Sequence, residues 1–118
     1  MINSILTSVK KMLGIAEEYD AFDDDIIMHI NSVFLTLKQM GVGPTTGFRI
    51  DDAGETWENY IPTEDNPENI ELQSAVKTYM HLKVKLLFDP PLNSSVMEAT
   101  KQMINELEWR LNVQAESK

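Results

Sequence analysis

The sequence predicts an all-α fold, a small four-helix bundle with a long irregular loop at its centre. Three observations carry this. Apolar residues recur at three- and four-residue steps in four separate segments. The last two segments are joined by the short, stiff connector Asp89-Pro90-Pro91-Leu92-Asn93-Ser94, and a link of that length favours packed antiparallel helices. The first two segments each stop at a glycine followed by an aliphatic residue, Gly14-Ile15 and Gly41-Val42, as helices closed by a left-handed residue do.

The first helix is expected over about residues 4–13, with Ile2, Ile5, Leu6, Val9, Met12 and Leu13 on its core face. The second, about 24–40, opens at Asp23-Asp24-Asp25, whose carboxylates suit free amides and the positive end of the helix dipole. Its stripe is Ile26, Ile30, Val33, Phe34, Leu37 and Met40, and Gly43-Pro44 closes the exit. Residues of about 42–66 form the irregular part. Phe48-Arg49-Ile50 reads as a short strand turned by Asp52-Ala53-Gly54, and Thr56 as the cap of a single turn bearing Trp57 and Tyr60. A loop this long in a compact domain is usually functional or flexible.

Asn66-Pro67 reads as a cap with proline at the first helical position. The third helix, about 67–88, carries Leu72, Ala75, Tyr79, Leu82 and Leu86 on one face. The fourth, about 95–112, starts at the capping-box pattern Ser95-Val96-Met97-Glu98 and places Val96, Ala99, Met103, Leu107 and Leu111 toward the core. Glu116-Ser117-Lys118 reads as a frayed tail. The whole of 1–118 is expected to form one domain.

Charge and composition narrow the function. Nineteen acids against ten bases give a net charge of −9, which disfavours gripping a polyphosphate. The chain has no cysteine, hence no disulfide framework and no thiolate ligand or nucleophile. No apolar run approaches the roughly 18 residues needed to span a bilayer, and Met1-Ile2-Asn3-Ser4 lacks the order of a signal peptide. Asp23-Asp24-Asp25 and Asp51-Asp52-Ala53-Gly54-Glu55 lack calcium-loop spacing and read as cap and turn. His29 and His81 sit on different helices without partners at ligand spacing, and His81 reads as a solvated surface residue. Gly41-Val42-Gly43 follows a helix and not a strand, so it is no phosphate loop. We expect no catalytic residues, no metal and no cofactor.

Residues that break the pattern are more telling. Lys83 falls within the apolar arc of the third helix, where it must snorkel, pair with a carboxylate or face another chain. Trp109 projects from the polar side of the fourth helix, with Arg110 beside it one turn from Glu106. Met28 and Leu35 form an off-stripe apolar pair seven residues apart on the second helix. Phe48, Trp57 and Tyr60 give the central loop more aromatic surface than a passive linker needs, either to reach a neighbouring subunit or to pin the loop onto its own bundle. Trp109, Arg110, Lys83, Met28, Leu35 and Trp57 are therefore the candidate interface residues.

In order and spacing, the chain resembles the head–tail connector (head-completion or adaptor) proteins of tailed bacteriophages and prophages. The resemblance rests on Ile26-Ile27-Met28-His29-Ile30-Asn31-Ser32-Val33-Phe34, on Gly41-Val42-Gly43-Pro44, and on the segment around Trp57. It rests also on Val76-Lys77-Thr78-Tyr79 through Asp89-Pro90-Pro91 and on Glu106-Leu107-Glu108-Trp109-Arg110-Leu111. It implies a non-enzymatic virion protein, made in the bacterial cytoplasm and sited at the neck. It further implies a homo-oligomeric ring, commonly a dodecamer, beneath the portal protein. DNA passes through such a ring without specific binding, and the next neck or tail protein docks on it. The alternative is a small acidic phage regulator that binds a host protein, as a DNA mimic or through Trp109.

Overall fold

The computed structural model describes residues 4–116, and within them the chain is helical: α1 Ile5–Met12, α2 Asp23–Gln39, the single turn α3 Trp57–Tyr60, α4 Asn69–Phe88 and α5 Ser94–Glu116. Ile2 of the expected first stripe and the tail residues Ser117 and Lys118 lie outside the described residues. The four expected long helices are present, and α5 continues four residues past its expected end. Helix α4 is central. It packs against α2 and α5, while α1 packs against α2 and α4.

Local chemistry explains the ends. Ser4 caps α1 by accepting the Thr7 amide at 3.2 Å. Gly14 and Gly41 take φ of 78° and 86°, and the next residue's amide reaches back to the helix, Ile15 to the Lys10 carbonyl and Val42 to that of Leu37. These are the glycine stops read from the sequence. The start of α5 differs from expectation. Asn93, not Ser95, is the cap: its Oδ1 accepts the Ser95 and Val96 amides at 2.8 and 3.2 Å. Asn66-Pro67 likewise forms a turn ahead of α4, with Asn69 donating to the Asn66 carbonyl, and α4 begins two residues after Pro67.

The core is one cluster built on Ile5, Val9, Ile30, Phe34, Val76, Tyr79 and Met80, closed by residues of the central loop. That loop contains no strand at Phe48–Ile50. Asn31 of α2 takes the place a partner strand would fill, donating to the Ile50 carbonyl at 2.9 Å and accepting its amide at 2.8 Å. A side-chain amide satisfies one backbone residue fully, so no ladder is needed there. The only bridge among the described residues is the isolated antiparallel pair Ser4 and Thr56.

Three aromatics fasten the loop to its own bundle. Phe48 and Tyr60 flank Phe34 at ring-centroid distances of 5.1 and 4.6 Å, and Trp57 lies 6.3 Å away. The Trp57 indole donates to Ser8 of α1 at 3.0 Å, and Gln73 of α4 donates to the Ile61 carbonyl at 2.7 Å. Gly43 is fixed by this packing: its φ is 87°, and a Cβ there would meet the Tyr60 ring at 2.6 Å.

Glu58 ties off the acidic part of the loop. Its carboxylate accepts the Thr63 amide, the Thr63 hydroxyl at 2.8 Å and the Glu64 amide at 3.0 Å. These donors, the Glu64 amide foremost, hold its pKa at about 2, against 4.5 for a free glutamate. The stabilisation is therefore complete above pH 4.5 and disappears as the pH falls toward 2. Glu58→Gln should lie below wild type in stability at neutral pH, with the gap closing as urea titrations move toward pH 3. A gap independent of pH would detach Glu58 from the loop's acid response.

Candidate functional site

The roll of α5 decides which apolar residues remain outside. Its buried side runs through Ile104 and Leu111, flanked by partly buried Met97, Leu107, Glu108 and Ala115. The expected stripe through Val96, Ala99 and Met103 is thus displaced by most of one residue's 100°. Val96 and Met103 are 51% and 50% exposed. The cause is polar. Buried Tyr79 donates its hydroxyl to Glu108 Oε2 at 2.7 Å, and Lys83 Nζ stands 3.9 Å from the same oxygen. Turning Val96 and Met103 inward would carry Glu108 away and leave the phenol buried without a partner. Burial and the adjacent Glu108 carboxylate together push the Tyr79 pKa up, so it remains a donor.

Lys83 accordingly spends its charge within the chain, on a carboxylate across the α4–α5 seam. Trp57 is 1% exposed and offers no surface to a neighbour; it is a core residue because Ser8 and Phe34 receive it. Leu82, Leu86 and Leu107 are only partly buried, and Met12 of the α1 stripe is exposed. His81 is half-buried, against expectation, edge-on to Trp57 at 6.5 Å, and its Nε2 has no hydrogen-bond partner. Burial first, and Lys77 second, lower its pKa and keep it neutral.

Among the exposed apolar residues, two groups hold candidate interface residues. On α2, Met28 and Leu35 are 61% and 56% exposed and point away from the buried side of the helix. With Ile27 and Phe48 they line an open groove of about 790 Å³ between α2 and the loop segment Thr46–Arg49, rimmed by Lys38 and Arg49. On α5, Trp109 is 67% exposed, with exposed Val113 one turn on and Arg110 paired to Glu106 at 2.6 Å. The two surfaces stand on separate helices, α2 and α5, both of which pack on α4.

The sequence did not reveal Lys10. It is buried, donates to the Glu17 carbonyl at 2.9 Å and lies 2.8 Å from Asp23 Oδ1. Its position at the rim of the α1 stripe gave little signal; Asp23 therefore pairs with α1 as well as complementing its own helix dipole.

Among the described residues no group of three or more His, Asp or Glu side chains is gathered to hold a metal, and no helix is long and apolar enough to cross a membrane. Neither the curated proteins nor the solved structures contain a significant match to the chain. The family described as phage connector protein matches residues 5–118, which takes in every helix and both exposed surfaces. With nearly its whole length matched, the chain belongs to the phage head–tail connector family.

Proposed function

We propose that the chain is a connector subunit that closes into a homo-oligomeric ring beneath the portal protein at the virion neck. The ring extends the DNA channel, and the next neck or tail protein docks on it. The observation that carries this is a pair of unlike apolar surfaces on separate helices of one small bundle, an open groove beside α2 and the exposed Trp109 and Val113 on α5. A closed ring buries two different lateral faces of each subunit, whereas a two-fold dimer buries one face against itself. Membership of the connector family supports the structural role. The net charge of −9 suits a channel through which DNA must slide without being held. The exposed Trp109, Met28 and Leu35 are the interface residues this reading uses, with Arg110 at the edge of the same α5 face.

Light scattering on the purified chain, alone and with portal protein, tests the reading. Wild type should form closed multi-subunit species. Trp109→Ala should change monomer stability by about 0.5 kcal/mol or less, as exposed substitutions do. It should weaken assembly by about 2 kcal/mol, roughly thirtyfold, as loss of an aromatic anchor does. A variant that melts several degrees early yet assembles normally would place the interface elsewhere.

A further inference from the structure

The ring reading leaves open which face meets which, and the two surfaces answer it by shape and charge. Trp109 and Val113 stand one turn apart on the outer side of α5 and make a short apolar ridge. Glu106, three residues before Trp109, and Glu116, three after Val113, bracket it, and both are exposed. The α2 groove has the inverse character. Met28, Leu35, Ile27 and Phe48 give an apolar lining, and Lys38 and Arg49 stand at the rim. In a chain with nineteen acids and ten bases, two bases at one groove mouth mark it out. Lys38 forms no ion pair among the described residues, and Arg49 only an exposed one with Asp51 at 3.2 Å. The groove's own acid, Asp24, has its counterpart in Arg110 beside the ridge.

We infer that the occupant of the α2 groove is a second copy of this chain, whose Trp109–Val113 ridge seats between Met28 and Leu35 with Glu106 and Glu116 toward Lys38 and Arg49. The inference rests on the ring reading and gives it a direction: ridge into groove, each subunit donating one and receiving one. Tryptophan filling an apolar pocket inside a charged rim is how interface anchors generally act. Opposite charges on ridge and groove favour this head-to-tail contact over ridge-on-ridge or groove-on-groove pairing, where like charges meet.

Charge reversal tests it without needing the exact register. One variant carries Lys38→Glu and Arg49→Glu, the other Glu106→Lys and Glu116→Lys; all four positions are exposed, and circular dichroism confirms the fold. Each variant alone should associate at least tenfold more weakly than wild type. Mixed, they should recover assembly as alternating chains, because the ridge of each meets opposite charge in the groove of the other, while each variant alone sets like charge on like. A chain with all four reversals should return to wild-type assembly. If wild type assembles but the fourfold variant does no better than the twofold ones, the contact is overturned and the ring reading stands. The contact falls in the same way, and the ring reading survives, if the groove variant assembles normally and loses only portal binding. A wild-type chain that stays monomeric at millimolar concentration, with and without portal protein, overturns the ring reading and this contact with it.

Discussion

Replacing Trp57 with alanine is expected to destabilise the protein by about 3–5 kcal/mol, the range for a large aromatic lost from a packed core. The side chain is almost fully buried, lies beside Phe34 at 6.3 Å, and meets the His81 ring edge-on. Its indole N–H is the link between the central loop and Ser8 of α1, residues 49 apart in sequence. Removing it opens a cavity and cuts the indole's tie to α1, while Phe48, Tyr60 and the Asn31–Ile50 hydrogen bonds still hold the rest of the loop. A domain of this size holds about 5–15 kcal/mol in all, so the variant should be marginal at 37 °C. Trp57→Phe keeps most of the apolar volume and loses the hydrogen bond, so it should fall between alanine and wild type. Urea unfolding followed by circular dichroism measures both. The chain has two tryptophans, and in Trp57→Ala the exposed Trp109 alone remains to report by fluorescence. A loss below about 1 kcal/mol with native helicity would mean that Trp57 is not the core residue its packing indicates.

The same tryptophan shows where sequence reading stops. Thr56 as a cap and Trp57 and Tyr60 on one turn are local facts, and the turn α3 forms as the sequence suggests, with Thr56 accepting the Asn59 amide at 3.1 Å. Whether that turn faces a neighbour or its own bundle depends on Phe34 and Ser8, which no periodicity connects to it. Glycine stops were legible for the opposite reason: Gly14 and Gly41 act on carbonyls of the turn just before them.

Helix α5 was legible in existence and not in roll. Val96, Met103 and Leu107 satisfy helical spacing, and so do Met97, Ile104 and Leu111. Apolar burial alone barely separates two stripes of similar size. The buried Tyr79 hydroxyl separates them, because only one roll brings Glu108 to it. That choice leaves Val96 and Met103 outside and fixes the direction in which Trp109 projects. One buried phenol on α4 thus shapes the outer face of α5, and with it the surface on which the proposed assembly depends. Trp109 itself was readable as a surface residue, since it stands on the polar side under either roll.

Lys10→Ala is the second substitution expected to be severe, at about 3 kcal/mol or more, the low end of the cost of breaking a buried ion pair. Lys10 is buried, and its ammonium reaches both the Glu17 carbonyl and Asp23. It therefore fastens α1 to the segment that follows it and to the first turn of α2. Alanine leaves Asp23 facing a gap without its counter-charge. Asp23 keeps 26% of its side chain in solvent, so water relieves part of that penalty and the cost should not reach the top of the range. Lys10→Met separates charge from packing by retaining an unbranched stem; whatever it loses belongs to the ion pair and the carbonyl bond. Adding Asp23→Asn to Lys10→Met removes the orphaned charge and should recover a large part of the loss, since a buried pair replaced on both sides is often near neutral. Asp24 and Asp25 still complement the dipole of α2, so that second change should not itself undo the helix start. Urea midpoints of the two single variants and the double complete the cycle. If Lys10→Met costs less than about 0.5 kcal/mol, the lysine snorkels to water in solution and α1 is held by its apolar face alone.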